Sequence, residues 1–212
     1  MRSPCSAGTA MAAFIASSEI LADPVAPGPT RVLCLGNELI SDDGLGVVAA
    51  RGLAGRLLRA GVAVAPSSSI DPALTAWAFE LPAVGRVEVL ETALTGMYLL
   101  DAVTGASRLI ILDSVVTGAN APGTMLELSE ADLDGPRGGS PHYIGLLETL
   151  DLARALGMQV PDQVVIVAVE AGDYMTVGGA MTPPVEAAIP RVVERALALI
   201  GGRYDGAGRA TD

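Results

Sequence analysis

Two adjacent acids, Asp42 and Asp43, stand where the apolar run VLCL, residues 32–35, gives way through Gly36-Asn37 to a helix-like pattern. One acid at such a position is explained as a helix N-cap that accepts backbone N–H groups, a role that suits Asp42. A cap needs only one carboxylate, so Asp43 is left for chemistry. A second acid of the same kind is Asp113, which follows the buried run LIIL, residues 109–112. Its alternative reading is a turn-initiating Asp that accepts local N–H groups. The only histidine of the chain, His142, follows a glycine-rich stretch at the start of another helical pattern. Two carboxylate oxygens and one imidazole make an open three-donor set suited to a borderline divalent cation. Such a set binds moderately by itself, and a partner that brings thiolates would complete the sphere.

These groups act together only if the chain brings them to one place. Residues 32–35, 62–65, 87–90, 109–112, 125–128 and 164–169 read as strands; residues 44–59, 97–104, 143–156 and 185–200 read as helices. Residues 66–85 read as an inserted loop with a helical turn near 73–80, and DGPRGG, residues 134–139, as a glycine-rich loop. Strands alternating with helices predict a three-layer α/β/α sandwich around a mostly parallel, twisted sheet of about five strands. In that architecture ligands bind at the carboxyl ends of the strands, where Asp43 and Asp113 fall. Glu170 and Asp173, after the last strand, line the same rim or belong to an ordinary polar loop. Glu38 and Asp71 read as loop residues, Glu91 and Asp101 as helix-flanking, and Glu127, Glu130 and Asp132 as a solvated face or cap.

Composition bounds the partners. Of 212 residues, 50% are hydrophobic and 3% aromatic, enough for one full core and a single domain over residues 31–200. Residues 1–30 read as a disordered leader, in which Ser17, Ser18 and Glu19 interrupt the apolar run that a secretory signal needs. Residues 201–212 read as a polar tail. The net charge of −11 and a pI near 4.4 disfavour nucleic acid and anionic membrane as partners. No uninterrupted apolar stretch of about 18 residues suggests a membrane span. Cys5 and Cys34 are the only cysteines, too few for a disulfide framework or a thiolate metal cluster, and this points to a reducing cytoplasm. A nucleotide-binding α/β protein is a weaker alternative, since the phosphate-loop lysine and a complete dinucleotide fingerprint are both missing.

GNELISDDGLG, residues 36–46, resembles the glycine-asparagine and paired-acid signature of the endopeptidases that mature nickel-iron hydrogenase large subunits. LIILDSVVTGANAPGTM, residues 109–125, is similar to that family's second block, SPHYIGL, residues 140–146, to its histidine block, and MTPPVEAAIPRVVERAL, residues 181–197, to its closing helix. Blocks in matching order and spacing span residues 31–200. The resemblance implies metal contact by Asp43, Asp113 and His142, with Asp43 and Asp113 as catalytic residues. It implies removal of a C-terminal extension from the large-subunit precursor after nickel insertion, the nickel being supplied by that precursor. Aspartic-type cleavage is the implied class, by a carboxylate general base or by metal polarisation of the scissile carbonyl. A noncatalytic nickel-loading checkpoint on the same scaffold is the rival expectation. Two features depart from the family pattern: ETALTG, residues 91–96, replaces a glycine-rich turn and keeps only Gly96, and residues 66–85 are inserted.

Overall fold

The computed structural model describes residues 28–65, 74–132 and 141–202. The leader before residue 28, residues 66–73, the loop 133–140 and the tail from residue 203 lie outside the described residues, as do the side chains of residues 65 and 141–144. Among the described residues, seven strands form one sheet: β1 (Thr30–Leu35), β2 (Ala63–Ala65), β3 (Thr75–Leu81), β4 (Gly85–Thr92), β5 (Arg108–Val115), β6 (Met125–Ser129) and β7 (Gln163–Glu170). Their spatial order is β2-β3-β4-β1-β5-β7-β6. The central four, β4-β1-β5-β7, are parallel, and β2, β3 and β6 pair antiparallel at the flanks.

The sheet is therefore larger and more mixed than the expected five strands: residues 74–85 supply an extra antiparallel strand, and β6 pairs antiparallel with β7. Instead of a helical turn, TAWAFEL makes β3, antiparallel to β4. The period is two: Trp77, Phe79 and Leu81 meet one core cluster and Ala76 the other, the alternation of a strand covered on both sides. Val84 N–H donates to Leu81 O at 3.1 Å, and Gly85, at φ +85°, closes the hairpin.

Among the described residues, five helices cover the two faces. Helices α1 (Leu45–Arg59), α4 (Pro183–Glu186) and α5 (Ile189–Gly201) lie on one face, and α2 (Leu100–Val103) and α3 (Pro141–Ala155) on the other. Alternation within the central strands serves both layers. Val32, Cys34, Ile110, Leu112, Val165 and Val167 pack beneath α1 and α5, while Leu33, Leu35, Leu109, Ile111 and Ile166 pack with Leu99, Leu146 and Leu150. Each such fully buried aliphatic side chain contributes about 2 kcal/mol relative to exposure. The closing helix is broken into α4 and α5, with a proline in the first turn of each, a position where the missing N–H costs nothing. One buried ion pair ties the opposite edge. Arg31 donates to Glu88 Oε2 at 2.8 Å and to the carbonyls of Asp101, Ala102 and Thr104 at the end of α2. Among the described residues no helix is long and apolar enough to cross a membrane.

Candidate functional site

The chain leaving β1 turns back sharply onto the strand ends, and two glycines permit it. At Gly36, φ is +150°, and a Cβ there would lie 2.0 Å from the carbonyl oxygen of Asp43. In the first turn of α1, a Cβ on Gly46 would lie 2.0 Å from Leu35 O and 2.7 Å from Leu112 O. The acid-bearing turn, a 3-10 segment Ser41–Gly44 that runs into α1, is thus pressed against the carboxyl ends of β1 and β5.

Asp42 and Asp43 have separate tasks. Asp42 is fully buried and caps neither the 3-10 turn nor α1, in contrast to the N-cap role expected of it. Its Oδ2 accepts from Gly172 N (2.7 Å), Asp173 N (2.8 Å) and Thr182 Oγ1 (2.9 Å), and its Oδ1 from Thr182 N (2.6 Å). A buried carboxylate is tolerable only with such saturation by donors. The result is a clamp that holds the loop after β7 to the turn after β1. Ser41 Oγ donating to Ala180 O, Ser41 N–H donating to Thr176 O and Gly178 N–H donating to Leu39 O extend the same seam.

Asp43 is partly exposed. Its Oδ2 accepts the Asn37 N–H at 3.0 Å, and its Oδ1 is approached by Ser114 Oγ at 3.5 Å, the outer limit of a hydrogen bond. Ser114 N–H in turn donates to Asp113 Oδ1 at 2.8 Å. Ser114, the residue after Asp113, thus contacts both acids, Asp113 through its amide and Asp43 through its hydroxyl. Asp113 does not begin a turn. It lies inside β5, opposite Ala168 of β7, and is fully buried.

His142 is the second residue of α3, and its side chain lies outside the described residues. The backbone of α3 is placed by Gly145, one turn further on. A Cβ there would sit 2.7 Å from Gly96 Cα, so the start of α3 is docked on the segment that follows β4. Gly96 (φ +58°), the one glycine left in ETALTG, serves this helix contact. Since β4 adjoins β1, the first turn of α3 stands at the same edge of the sheet as the two acids. Among the described residues, no three His, Cys, Asp or Glu side chains are arranged to hold a metal ion.

Other acids of the rim turn out to be structural. Glu170 is buried and accepts from Thr117 N, Thr117 Oγ1 and Gly118 N, pinning the loop after β5. Asp173 accepts from the amides of Met175 and Thr176, and hydrogen bonding by Thr176, then by the Met175 backbone, holds its carboxyl below the usual range. Glu91 belongs to β4 and not to a helix flank. It shares Arg51 of α1 with Glu38, the four contacts running from 2.7 to 3.2 Å. Burial, followed by the charges of Glu91 and Asp113, pushes the Cys34 thiol far up, so Cys34 remains neutral and packs as a small apolar group. Sequence reasoning missed Ser114 and Arg51. Ser114 had one signal: it directly follows a strand-end acid and, by the two-residue period, faces the opposite side of the sheet.

A family model described as hydrogenase maturation protease matches residues 77–199, more than half of the chain. The hydrogenase 2 maturation protease of Escherichia coli (strain K12) is 34% identical over 116 residues, 54% of this chain and 70% of that protein. The hydrogenase expression/formation protein HupD of Rhizobium leguminosarum bv. viciae is 27% identical over 183 residues, 84% of this chain and 78% of that one. Among solved structures, the hydrogenase maturating endopeptidase HybD from E. coli superposes with a TM-score of 0.61 at 29% identity, covering 81% of this chain and 91% of its own.

Proposed function

This chain belongs to the hydrogenase maturation protease family, and from that premise we propose that it cuts the C-terminal extension from a nickel-iron hydrogenase large-subunit precursor once nickel has been inserted. The observation that carries the reading is the approach of Asp43 and Asp113 to the same Ser114 at the carboxyl edge of the sheet. Asp42, by contrast, is taken up by the clamp on the loop after β7.

The two carboxylates differ in access. Asp43 reaches solvent and is the group placed to take a proton from the water that attacks the scissile carbonyl, an aspartic-type reaction. Asp113, shut off from solvent in the free chain, supplies the second carboxylate. Nickel arrives as part of the substrate, held by the precursor's own thiolates, and Asp43, Asp113 and His142 contact it. The neutral state of Cys34 supports a site that supplies oxygen and imidazole donors but no thiolate of its own. The reaction is assigned to the cytoplasm.

The test is the mass of the large subunit after incubation of nickel-loaded and nickel-free precursor with this protein. Loss of the C-terminal peptide from the nickel-loaded form alone is expected. Binding of the loaded precursor with no change in mass would instead identify a noncatalytic checkpoint. A His142→Ala variant that cleaves loaded and unloaded precursor alike, or loaded precursor as fast as wild type, would remove the imidazole from the metal-sensing set.

A further inference from the structure

Nine large apolar side chains are exposed among the described residues, and six of them stand on loops at the edge of the sheet that carries Asp43. Leu39 follows β1, Met97 and Tyr98 follow β4, and Tyr174, Met175 and Val177 follow β7. Tyr98 is 77% exposed and Val177 76%. Scattered exposed apolar residues require no explanation, but a group gathered around one opening marks an interaction surface. These loops are held firmly. Ile40 bridges Val177, Gly178 N–H donates to Leu39 O at 2.7 Å, and Asp42 fastens the chain on either side of residues 174–177. On the other side of the sheet edge, Met97 and Tyr98 sit on the 3-10 segment Gly96–Leu99 against which α3 docks. A framework this rigid presents apolar groups to water permanently, at little ordering cost when a partner covers them.

We propose that these two groups form an apolar collar around the Asp43 opening, and that it docks the folded hydrogenase large-subunit precursor by an apolar surface surrounding a cationic centre. The charge pattern selects this occupant. Asp43, Glu38 and Asp173 stand on the loops that carry Leu39 and residues 174–177, with Glu38 paired to Arg51, and the chain as a whole carries −11. A second copy of this chain would set acids against acids, whereas a partner with a bound cation inside an apolar surround is complementary to both features. The proposal rests on the function proposed above for its choice of partner, and it adds a recognition surface distinct from the reacting groups.

Double variants test it: Met97→Gln with Tyr98→Gln, and Met175→Gln with Val177→Gln. Leu58→Gln with Leu156→Gln is the control, since both residues are similarly exposed but lie at the ends of α1 and α3, toward the opposite edge. Binding to nickel-free precursor is measured by calorimetry, and cleavage of nickel-loaded precursor by steady-state kinetics. Each collar variant is expected to bind at least about tenfold more weakly and to raise KM by a similar factor with kcat within about twofold, the loss typical of truncated interface anchors. The control should match wild type. Collar variants that bind and cleave as wild type does, or a wild type that binds neither form of the precursor, would overturn the collar. Collar-dependent binding without any cleavage would leave the docking surface standing and remove the protease reading. A free chain that dimerises through the collar, with the same variants dissociating the dimer, would replace the precursor by a second copy and overturn the proposal.

Discussion

Thr182 donates twice to Asp42 across 140 positions of sequence, through its amide at 2.6 Å and its hydroxyl at 2.9 Å. The first acid of the paired signature is thus a fastener between the turn after β1 and the loop after β7, whereas the second, Asp43, reaches solvent. Asp42→Ala leaves the amides of Gly172, Asp173 and Thr182 without their acceptor. Unfolding in urea is expected to show a loss of about 3 kcal/mol, since hydrogen bonds to a buried charge contribute about 1.5–3 kcal/mol each and are not additive. Retention of full stability would mean that the clamp does not hold the loop.

Two glycines of α1 should respond in opposite directions to the same change. Gly46→Ala drives a methyl group into the carbonyl oxygens of Leu35 and Leu112, so the helix must shift. A loss of about 3 kcal/mol or more, with precursor cleavage impaired, is expected. At Gly55 the nearest atoms are the mobile end of Arg59, at 3.3 Å, and Ala is expected to raise stability by up to about 1 kcal/mol through helix propensity. Thermal melts of the two variants check both signs.

The Glu88 carboxyl is subject to burial, which pushes it up, but the hydrogen bonds from Arg31 and Arg86 outweigh this and hold it below its ordinary value of 4.5. A group with a lowered folded-state pKa adds stability above its unfolded value, and that stability is lost as pH falls through the folded one. The advantage of wild type over Glu88→Gln should therefore be constant from pH 8 to about 6 and shrink as the medium is acidified below about 4.5. Urea midpoints across this range test the assignment; an advantage that grows on acidification would contradict it.

A neutral, buried Cys34 should be inert while the protein is folded. In a Cys5→Ser background, which leaves one thiol to report, alkylation at pH 8 is expected to proceed only at the rate of unfolding and to become rapid in denaturant. Fast modification under native conditions would show a thiolate where the burial forbids one.

Much of this molecule was legible in its sequence. The strands β1, β5 and β7 announce themselves as unbroken apolar runs because both faces are covered, and α1 as a periodic run opened by the acids. The feature that escaped was β3. In TAWAFEL the small alanines hide the alternation of Trp77, Phe79 and Leu81, and a flanking insertion makes a loop the easier reading. At the site, the position of Asp43 and Asp113 at the ends of β1 and β5 followed from the rule that parallel strand ends share one edge. The task of Asp42 did not, because its partners lie 130 to 140 positions away and a short-range cap explained it adequately. Ser114 and Arg51 escaped for the same reason: the contacts that make them relevant exist only after β1, β4 and β5 are side by side.

The central claim is that Asp43 and Asp113 act as one unit on the loaded precursor. It is tested most directly by single-turnover cleavage rates of nickel-loaded precursor with Asp43→Asn, Asp113→Asn and the double variant, each first shown to be folded. The account predicts that each single change slows cleavage by at least about a thousandfold and that the double variant is no slower than the worse single one, as for groups that work together. Cleavage near the wild-type rate by either single variant, or losses that multiply in the double, would contradict it.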